Sequence, residues 1–318
     1  MPNPAAACRI AVIANQSSGT ARPDRLEAAV RAAFAQTGAE IALHRATAGR
    51  DLPRLIETAL RGQPDMVVAA GGDGTISAVA GRLCGTGVAM GVIPQGTFNY
   101  VARGLGIPED PEEAAQLLAR EVPRPYQVAE VNGQVFLNNA SLGLYPRVLK
   151  EREDTYRRWG RSRIAAHWSV LRTFLTFHSP VRMRVLIDGV EIRARTPLAF
   201  VARSAFQLDS FGLDGADAVR DGQFALFLAP DASRWAMLRS ALRLAGRGMR
   251  ADRDFELFCG QEIVIETSRQ VQIMAMDGER RRMAGPFRFR LLPDALQVIA
   301  PARRDALADG AADRERAA

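Results

Sequence analysis

The chain of 318 residues lacks most of the features that mark specialised protein classes. Its three cysteines are odd in number and far apart, which excludes a disulfide framework and leaves no metal-ligand spacing. No apolar run approaches the roughly 20 residues that a membrane-spanning helix needs. No basic region precedes the first apolar run, as it would in a signal peptide. We therefore expect a cytoplasmic protein that meets a membrane only from its surface.

Lysine is almost missing: Lys150 is the only one, so arginine supplies nearly all the positive charge behind the net charge of +7. One interpretation is a coding bias toward arginine and alanine. The other is an anionic partner, such as a nucleotide, a nucleic acid or an acidic lipid. Aromatic residues lie among arginines at Tyr156 and Trp159, but no nucleic-acid recognition motif is present, so we do not expect nucleic acid as a partner.

The sequence motifs of two large nucleotide-binding classes are also absent. There is no GxxxxGK[ST] pattern, which excludes the P-loop class. There is no GxGxxG pattern either, which weakens a dinucleotide-binding Rossmann interpretation.

The N-terminal part of the sequence alternates short apolar runs with segments that have helical periodicity. Strands are predicted at residues 9–15, 41–46, 65–70 and 88–93, and helices at 23–36, 52–61, 77–84 and 111–119. This order predicts an α/β domain with a mostly parallel sheet. From residue 126 onward the runs become strand-like, among them predicted strands at 135–139 and 288–292, with hairpin signals and two helical stretches at 157–177 and 232–246, which predicts a second, mainly β domain.

The most informative residues are the GGDGT sequence at 71–75, which follows an apolar strand and precedes a helix. Glycines allow consecutive amide groups to point into one concavity, and the helix adds the positive end of its dipole. Such a turn suits a phosphate chain. An acid at Asp73 is then explained by contact with a phosphate-bound Mg²⁺, directly or through water, or by proton transfer from an acceptor. The Thr75 hydroxyl can donate to a phosphate oxygen.

A strand-to-helix turn without any ligand is the alternative, because Gly-Asp-Gly turns are common. Two further polar, glycine-containing loops follow predicted strands, NQSSG at 15–19 and PQGTFN at 94–99. Parallel strands bring their carboxyl ends to one sheet edge, where ligands bind in open α/β sheets. Three such loops at one edge favour an anion site.

In their order and spacing, these motifs resemble those of the bacterial diacylglycerol kinase-like lipid kinases, whose catalytic domain is shared with eukaryotic diacylglycerol, sphingosine and ceramide kinases. The other motifs that carry the resemblance are FLNNASLG at 136–143, Asp221-Gly222 and Asp277-Gly278-Glu279. GGDGT alone is shared with NAD kinases and phosphofructokinases, whereas the full set is specific to the lipid kinases.

The resemblance implies an N-terminal nucleotide domain and a C-terminal β-sandwich, with the active site in the cleft between them. We place these domains at residues 1–125 and 126–286, a segment returning to the first domain at 287–301, and a flexible tail at 302–318. The resemblance also implies a metal site at Asp221 with the backbone carbonyls of Ala218 and Gln223. It further implies that Glu279 is the general base and acts beside the catalytic Asp73. ATP would be held by Asn15, Gly19, Thr47, Gly71, Gly72, Gly74, Thr75, Gly96, Thr97 and Asn99.

Two positions depart from the family pattern. Tyr100 stands where most members have Asp, and Arg203-Ser204 stands where many have an Asn pair. If that Asp organises metal or water, this chain must do so otherwise, for example through Asp73 alone.

A basic segment at 147–163, followed by an apolar and partly aromatic segment at 168–177, is typical of docking on an anionic membrane. A solvated charged helix followed by a helix packed on the sandwich is the alternative.

The expected activity is ATP- and Mg²⁺-dependent phosphorylation of a lipid hydroxyl at the inner membrane surface, with diacylglycerol as the leading acceptor. Sphingoid bases, ceramide and other hydroxylated lipids stay open, as does a homodimer. An NAD kinase-like enzyme with a soluble substrate and a non-catalytic nucleotide- or lipid-sensing relative are the two rival functions.

Overall fold

The computed structural model describes residues 8–16, 23–143, 180–231 and 255–302. The N-terminal domain contains four parallel strands in the order β2-β1-β3-β4. Strands β3 and β4 are buried along their whole length, because helices cover both faces of this part of the sheet. The strands are β1 (Arg9–Asn15), β2 (Glu40–Ala46), β3 (Met66–Gly71) and β4 (Ala89–Pro94).

Five helices connect and cover these strands, with α1 beside α5 and α2 beside α3. Helix α5 begins where sequence rules place it: Asp110 accepts hydrogen bonds from the amides of Glu112 and Glu113, and Pro111 is its first residue. The helices are α1 (Pro23–Ala33), α2 (Leu52–Arg61, after a 3₁₀ turn at Gly49–Asp51), α3 (Asp73–Leu83), α4 (Tyr100–Gly104) and α5 (Pro111–Arg120).

As far as the structure describes it, the second domain is a two-layer β structure with two short helices, α6 (Ala205–Phe211) and α7 (Ala216–Arg220). One layer is an antiparallel sheet in the order β12-β11-β10-β7-β14-β15. The other layer contains β16, β13, β8 and β9, with β5 paired to β16 and β6 paired to β5. The strands of both layers together are β5 (Pro123–Val131), β6 (Gln134–Phe136), β7 (Asn139–Gly143), β8 (Val181–Ile187), β9 (Val190–Thr196), β10 (Leu198–Ala202), β11 (Phe224–Leu228), β12 (Glu256–Gly260), β13 (Ile263–Thr267), β14 (Val271–Met276), β15 (Glu279–Ala284) and β16 (Phe287–Ile299).

Strand β16 runs through both domains. Both of its parts pair antiparallel with β5; the first part also pairs antiparallel with β13, and the last part pairs parallel with β4 through Gln297 and Val298. An irregularity between Leu292 and Leu296 separates the two parts. The parallel sheet and one layer of the sandwich are therefore one continuous ten-stranded sheet, which sets the position of one domain against the other.

The predicted fold class is confirmed, since a parallel α/β domain is followed by an antiparallel sandwich. Some element boundaries were wrong. The helix predicted at 77–84 begins at Asp73, the strand predicted at 135–139 is divided into β6 and β7, and the strand predicted at 288–292 is the longer β16. The helices predicted at 157–177 and 232–246, and residues 303–318 of the predicted tail, lie outside the described residues. Within the described ranges, no helix combines the length and hydropathy needed to cross a bilayer.

Three phenylalanine rings mark the centre of the sandwich. Phe136, Phe224 and Phe289 are fully buried, and their ring centroids lie 6.2–6.3 Å apart. We expect Phe289→Ala to lower the free energy of unfolding by about 3–5 kcal/mol, because it leaves a cavity between the two layers. Val190→Ala, at a side chain that is 67% exposed, should change it by less than about 0.5 kcal/mol. Urea unfolding of both variants checks this, and equal stabilities would contradict this view of the core.

Candidate functional site

The three polar loops lie at one edge of the parallel sheet. Asn15 ends β1, and the last residue of β3, Gly71, pairs with Pro94 at the end of β4. The Asn15 side-chain amide donates a hydrogen bond of 2.9 Å to the Thr75 hydroxyl oxygen, and both side chains are buried. The structure therefore joins the first loop to the GGDGT turn through side chains in the interior.

The turns after β3 and β4 touch backbone to backbone. A Cβ atom added at Gly96 would lie 2.7 Å from the Cα atom of Gly72, and one added at Gly71 would lie 2.6 Å from the Thr75 hydroxyl oxygen. Larger residues at these positions would separate the turns. Gly72 precedes α3, so the amides of Asp73 and Gly74 in its first turn have no acceptor within the helix. Free amides at a helix N-terminus are groups that can bind an anion, so the predicted phosphate cradle has its donors in place.

The carboxylate of Asp73 joins the two turns. It accepts the Val101 amide at 3.1 Å and also hydrogen bonds from the backbone amides of Asn99 and Tyr100 and from the side chain of Asn138. Burial raises the pKa of Asp73, and these hydrogen bonds act in the opposite direction. These donors use acceptor positions of the Asp73 carboxylate. Contact of Asp73 with a phosphate-bound Mg²⁺, directly or through water, stays a prediction.

Asn99 shapes the second turn from within. Its backbone is left-handed, with φ of 53°, and its side-chain oxygen accepts the Gly96 amide at 2.9 Å while its amide donates to Glu109 at 2.8 Å. Asn99 is 5% exposed, whereas Thr97 in the same turn is exposed. Of the two, only Thr97 is placed to meet a ligand directly.

The other predicted ATP contacts are less central. Thr47 follows β2 and is exposed, and its hydroxyl lies 3.2 Å from a carboxylate oxygen of Asp51. Thr75 is 2% exposed, with its hydroxyl oxygen turned toward Asn15. Gly19 lies outside the described residues.

Glu279 lies across a crevice from the glycine turn. It is the first residue of β15, and its side chain is 55% exposed, with one carboxylate oxygen 3.3 Å from the guanidinium of Arg281. The crevice has a volume of about 40 Å³. Its lining joins the start of α3 to the second domain and consists of Gly74, Ser77, Ala78, Val135, Met276, Asp277, Glu279 and Arg281. The predicted general base and the predicted phosphate turn thus border one space.

Asp277 has a structural role that sequence reasoning missed. Its carboxylate accepts the Ser77 hydroxyl at 2.7 Å and the amides of Leu137, Asn138 and Asn139 at 2.7, 2.8 and 3.1 Å. Burial raises the pKa of Asp277, and these hydrogen bonds oppose that rise. In the sequence, Asp277 stands out only by its place in the Asp-Gly-Glu motif, and in that motif the predicted role belongs to the glutamate.

The predicted metal ligands lie on one turn at the end of α7. The Asp221 carboxylate is exposed, and the Ala218 carbonyl already accepts the Gln223 amide at 2.9 Å. One carboxylate and two carbonyls are oxygen ligands that suit a largely hydrated Mg²⁺. In the parts of the chain that the structure describes, no three His, Cys, Asp or Glu side chains form a metal-binding group. The metal set therefore stays a prediction.

Tyr100 makes an aromatic contact between the domains. Its ring stacks on Phe98 with centroids 5.5 Å apart and planes within 2°, and it lies 6.2 Å from Phe211 of α6. Phe98 and Phe211 are 49% and 37% exposed. The residue that departs from the family pattern thus packs against the second domain at the rim of the cleft.

Comparison with known families agrees with this architecture. Residues 9–131 match the diacylglycerol kinase catalytic domain, and residues 140–300, more than half of the chain, match the YegS C-terminal NAD kinase beta sandwich-like domain. The chain belongs to the bacterial diacylglycerol kinase-like lipid kinase family. The resemblance found in the motifs is thereby confirmed.

Individual relatives of this family match over part of the chain. "Diacylglycerol kinase" of Bacillus subtilis is 39% identical over 138 residues, which is 42% of this chain and 46% of that protein. "Probable lipid kinase YegS-like" of Pseudomonas aeruginosa is 41% identical over 124 residues, which is 37% of this chain and 41% of that protein. These alignments span less than half the length of either relative.

A solved structure shows the same fold over nearly the whole chain. A crystal structure described as a diacylglycerol kinase from Bacillus anthracis superposes with a TM-score of 0.68 at 22% identity, covering 92% of this chain and 97% of that one. At this identity the likeness concerns the fold alone.

The contact between the two glycine turns can be tested directly. We expect Gly96→Ala to lower the free energy of unfolding by about 1–3 kcal/mol and to weaken ATP binding, because the new methyl group forces the turns apart. Gly49→Ala is the matched control, since nothing lies within 4 Å of an added Cβ there. Urea unfolding and titration calorimetry with ATP measure both effects. A Gly96→Ala variant that behaves like the control would contradict the cradle.

Proposed function

We propose that this protein transfers the γ-phosphoryl group of ATP to the hydroxyl group of a membrane lipid in a Mg²⁺-dependent reaction, with diacylglycerol as the leading acceptor. The observation that carries the proposal is the crevice shared by the glycine turn and Glu279. It supplies a phosphate cradle on one side and a carboxylate on the other. Family membership supports the same reaction type.

Phosphoryl transfer needs little covalent help from a protein, so most of the catalysis comes from positioning and charge. The amides at the start of α3 and the turn at 94–99 would hold the phosphates. Mg²⁺, when bound, would neutralise phosphate charge, and the turn at Asp221 is the candidate for holding it. Glu279 would accept the proton of the attacking hydroxyl.

The size of the crevice limits what can enter it. A volume of about 40 Å³ admits water molecules or a terminal hydroxyl group. The acceptor would therefore enter with its hydroxyl first and leave its apolar part outside.

The proposal gives Asp73 a positioning role. Its carboxylate would hold the second turn against the first through three backbone amides, so its loss would disturb the cradle whether or not it also contacts Mg²⁺. The Asp73→Asn substitution keeps the size of the side chain. Its amide N–H group would, however, face the N–H donors that the Asp73 carboxylate accepts from.

One rival has an observation in its favour. The family matched by residues 140–300 carries NAD kinase in its name, and GGDGT is shared with NAD kinases. A soluble dinucleotide acceptor is therefore the second candidate. The replacement of Asp by Tyr100 favours the third, a relative with weak or no catalysis.

An assay with radiolabelled ATP, in which a panel of lipids and NAD are offered as acceptors, separates these functions. We expect label in diacylglycerol, with kcat lowered about 10²–10⁴-fold by Glu279→Ala, because the general base is removed. Asp73→Asn should also abolish most turnover. Glu256→Ala, at an exposed acid on β12, is the matched control and should keep full activity.

Label in NAD but in no lipid would replace the proposal with its rival, and no label in any acceptor would favour the non-catalytic relative. Full activity of Glu279→Ala would remove the assigned base.

We also propose docking on an anionic membrane through the basic segment at 147–163, which lies outside the described residues. Each Arg near such a surface contributes about 1 kcal/mol, so charge reversal of Arg157 and Arg158 should weaken binding to phosphatidylglycerol vesicles at least about tenfold. Charge reversal of Arg54 and Arg61, on α2, changes the net charge equally and is the control. Vesicle sedimentation at low and high salt measures binding; insensitivity to both salt and reversal would contradict docking.

A further inference from the structure

Two side chains on one face of α3 reach the second domain. Asp73 and Ser77 are four residues apart, so they lie one above the other on the helix. Asp73 accepts a hydrogen bond from the Asn138 side chain, and Ser77 donates one of 2.7 Å to Asp277. The backbone amide of Asn138 donates to Asp277 at 2.8 Å, which closes the set of contacts into a ring.

Asp277 is rigidly linked to Glu279. Met276 and Glu279 are paired across β14 and β15, so Asp277 and Gly278 form a two-residue hairpin turn. Both have positive φ, 46° and 87°, as in a type I′ turn. A contact that fixes Asp277 therefore also fixes the first residue of β15.

Of the four groups that donate to Asp277, Ser77 alone comes from the N-terminal domain. The other three are consecutive amides at 137–139, within the second domain. The Ser77 hydroxyl is thus the donor that connects the Glu279 turn to the helix whose first turn forms the phosphate cradle. Ser77 and Asp277 also line the crevice together with Gly74 and Glu279.

We propose that Ser77 is a positioning residue: its hydrogen bond to Asp277 sets the location of Glu279 relative to the glycine turn. The inference rests on the proposed function, since it assigns Ser77 a part in the reaction through Glu279. Ser77 itself need not touch a substrate. A shift of about 1 Å in a positioned group can cost roughly a hundredfold in rate, so the contact is expected to affect turnover more than folding.

The kinetic test uses the full-length protein with ATP and diacylglycerol. We expect Ser77→Ala to lower kcat about 10- to 100-fold while KM for ATP changes less than about twofold. Ser77→Thr keeps the hydroxyl and should restore most of the rate. Ser210→Ala is the matched control, because it removes a hydroxyl that donates to the Phe206 carbonyl within α6.

A double-mutant cycle separates positioning from general damage. If Ser77 acts through Glu279, adding Ser77→Ala to Glu279→Gln should cost less than about twofold more, measured under single-turnover conditions. The same fold-loss in both backgrounds, or a failure of Ser77→Thr to restore the rate, would overturn the proposal.

Amide exchange tests the contact without any assay of activity. Loss of the Ser77 hydroxyl should speed exchange of the amides at 137–139 by about tenfold and leave α2 unchanged. Unchanged exchange at 137–139 would overturn the contact, whatever the kinetics. A parent protein that labels no lipid would instead refute the proposed function, and the exchange result would still decide whether Ser77 holds the turn.

Discussion

The site depends on one contact, the close approach of the backbone at Gly72 to that at Gly96. Parallel strands that lie side by side bring their following turns within reach, but only residues without side chains allow those turns to touch. The touching turns place a helix N-terminus beside a second loop. The buried hydrogen bond between Asn15 and Thr75, next to this contact, helps to maintain the close approach of the two turns.

Two buried carboxylates hold the surroundings in place. Removing a carboxylate from water is costly unless donors replace the lost hydration, and here Asp73 and Asp277 each receive four. The hydrogen bonds to these two carboxylates are not surface ion pairs that salt would weaken. Because most of the donors are backbone amides, the geometry depends on the fold of the chain and little on side-chain rotamers. Both acids thus serve as structural acceptors, and Glu279, at the exposed side of its turn, is the acid that we propose for proton transfer.

The sequence was informative where local rules act alone. The run at 9–15 is strand β1 with the predicted bounds, and the convergence of the loops at 71–75 and 94–99 followed from the geometry of parallel sheets. Strand β15 escaped prediction because ERRRMA carries the charges of an exposed edge strand. Strand β16 was ended too early at Pro293-Asp294, where the structure has an irregularity and the strand exchanges partners. The partners of Asp73 and Asp277 could not be predicted, because they lie up to 200 positions away in the sequence.

In the part of the chain that the structure describes, the domains are joined around the cleft by β16, by the ring of contacts at Asp277 and by the tilted contact of Tyr100 with Phe211. Contacts at several points restrict changes in the width of the cleft. In such a frame, a crevice that admits a hydroxyl group also admits water, so Glu279 would activate either one. Selectivity for a lipid over water then cannot come from the crevice itself. It must come from binding energy gained outside it, by the apolar part of the acceptor, which raises the occupancy of the crevice by the lipid hydroxyl above that by water.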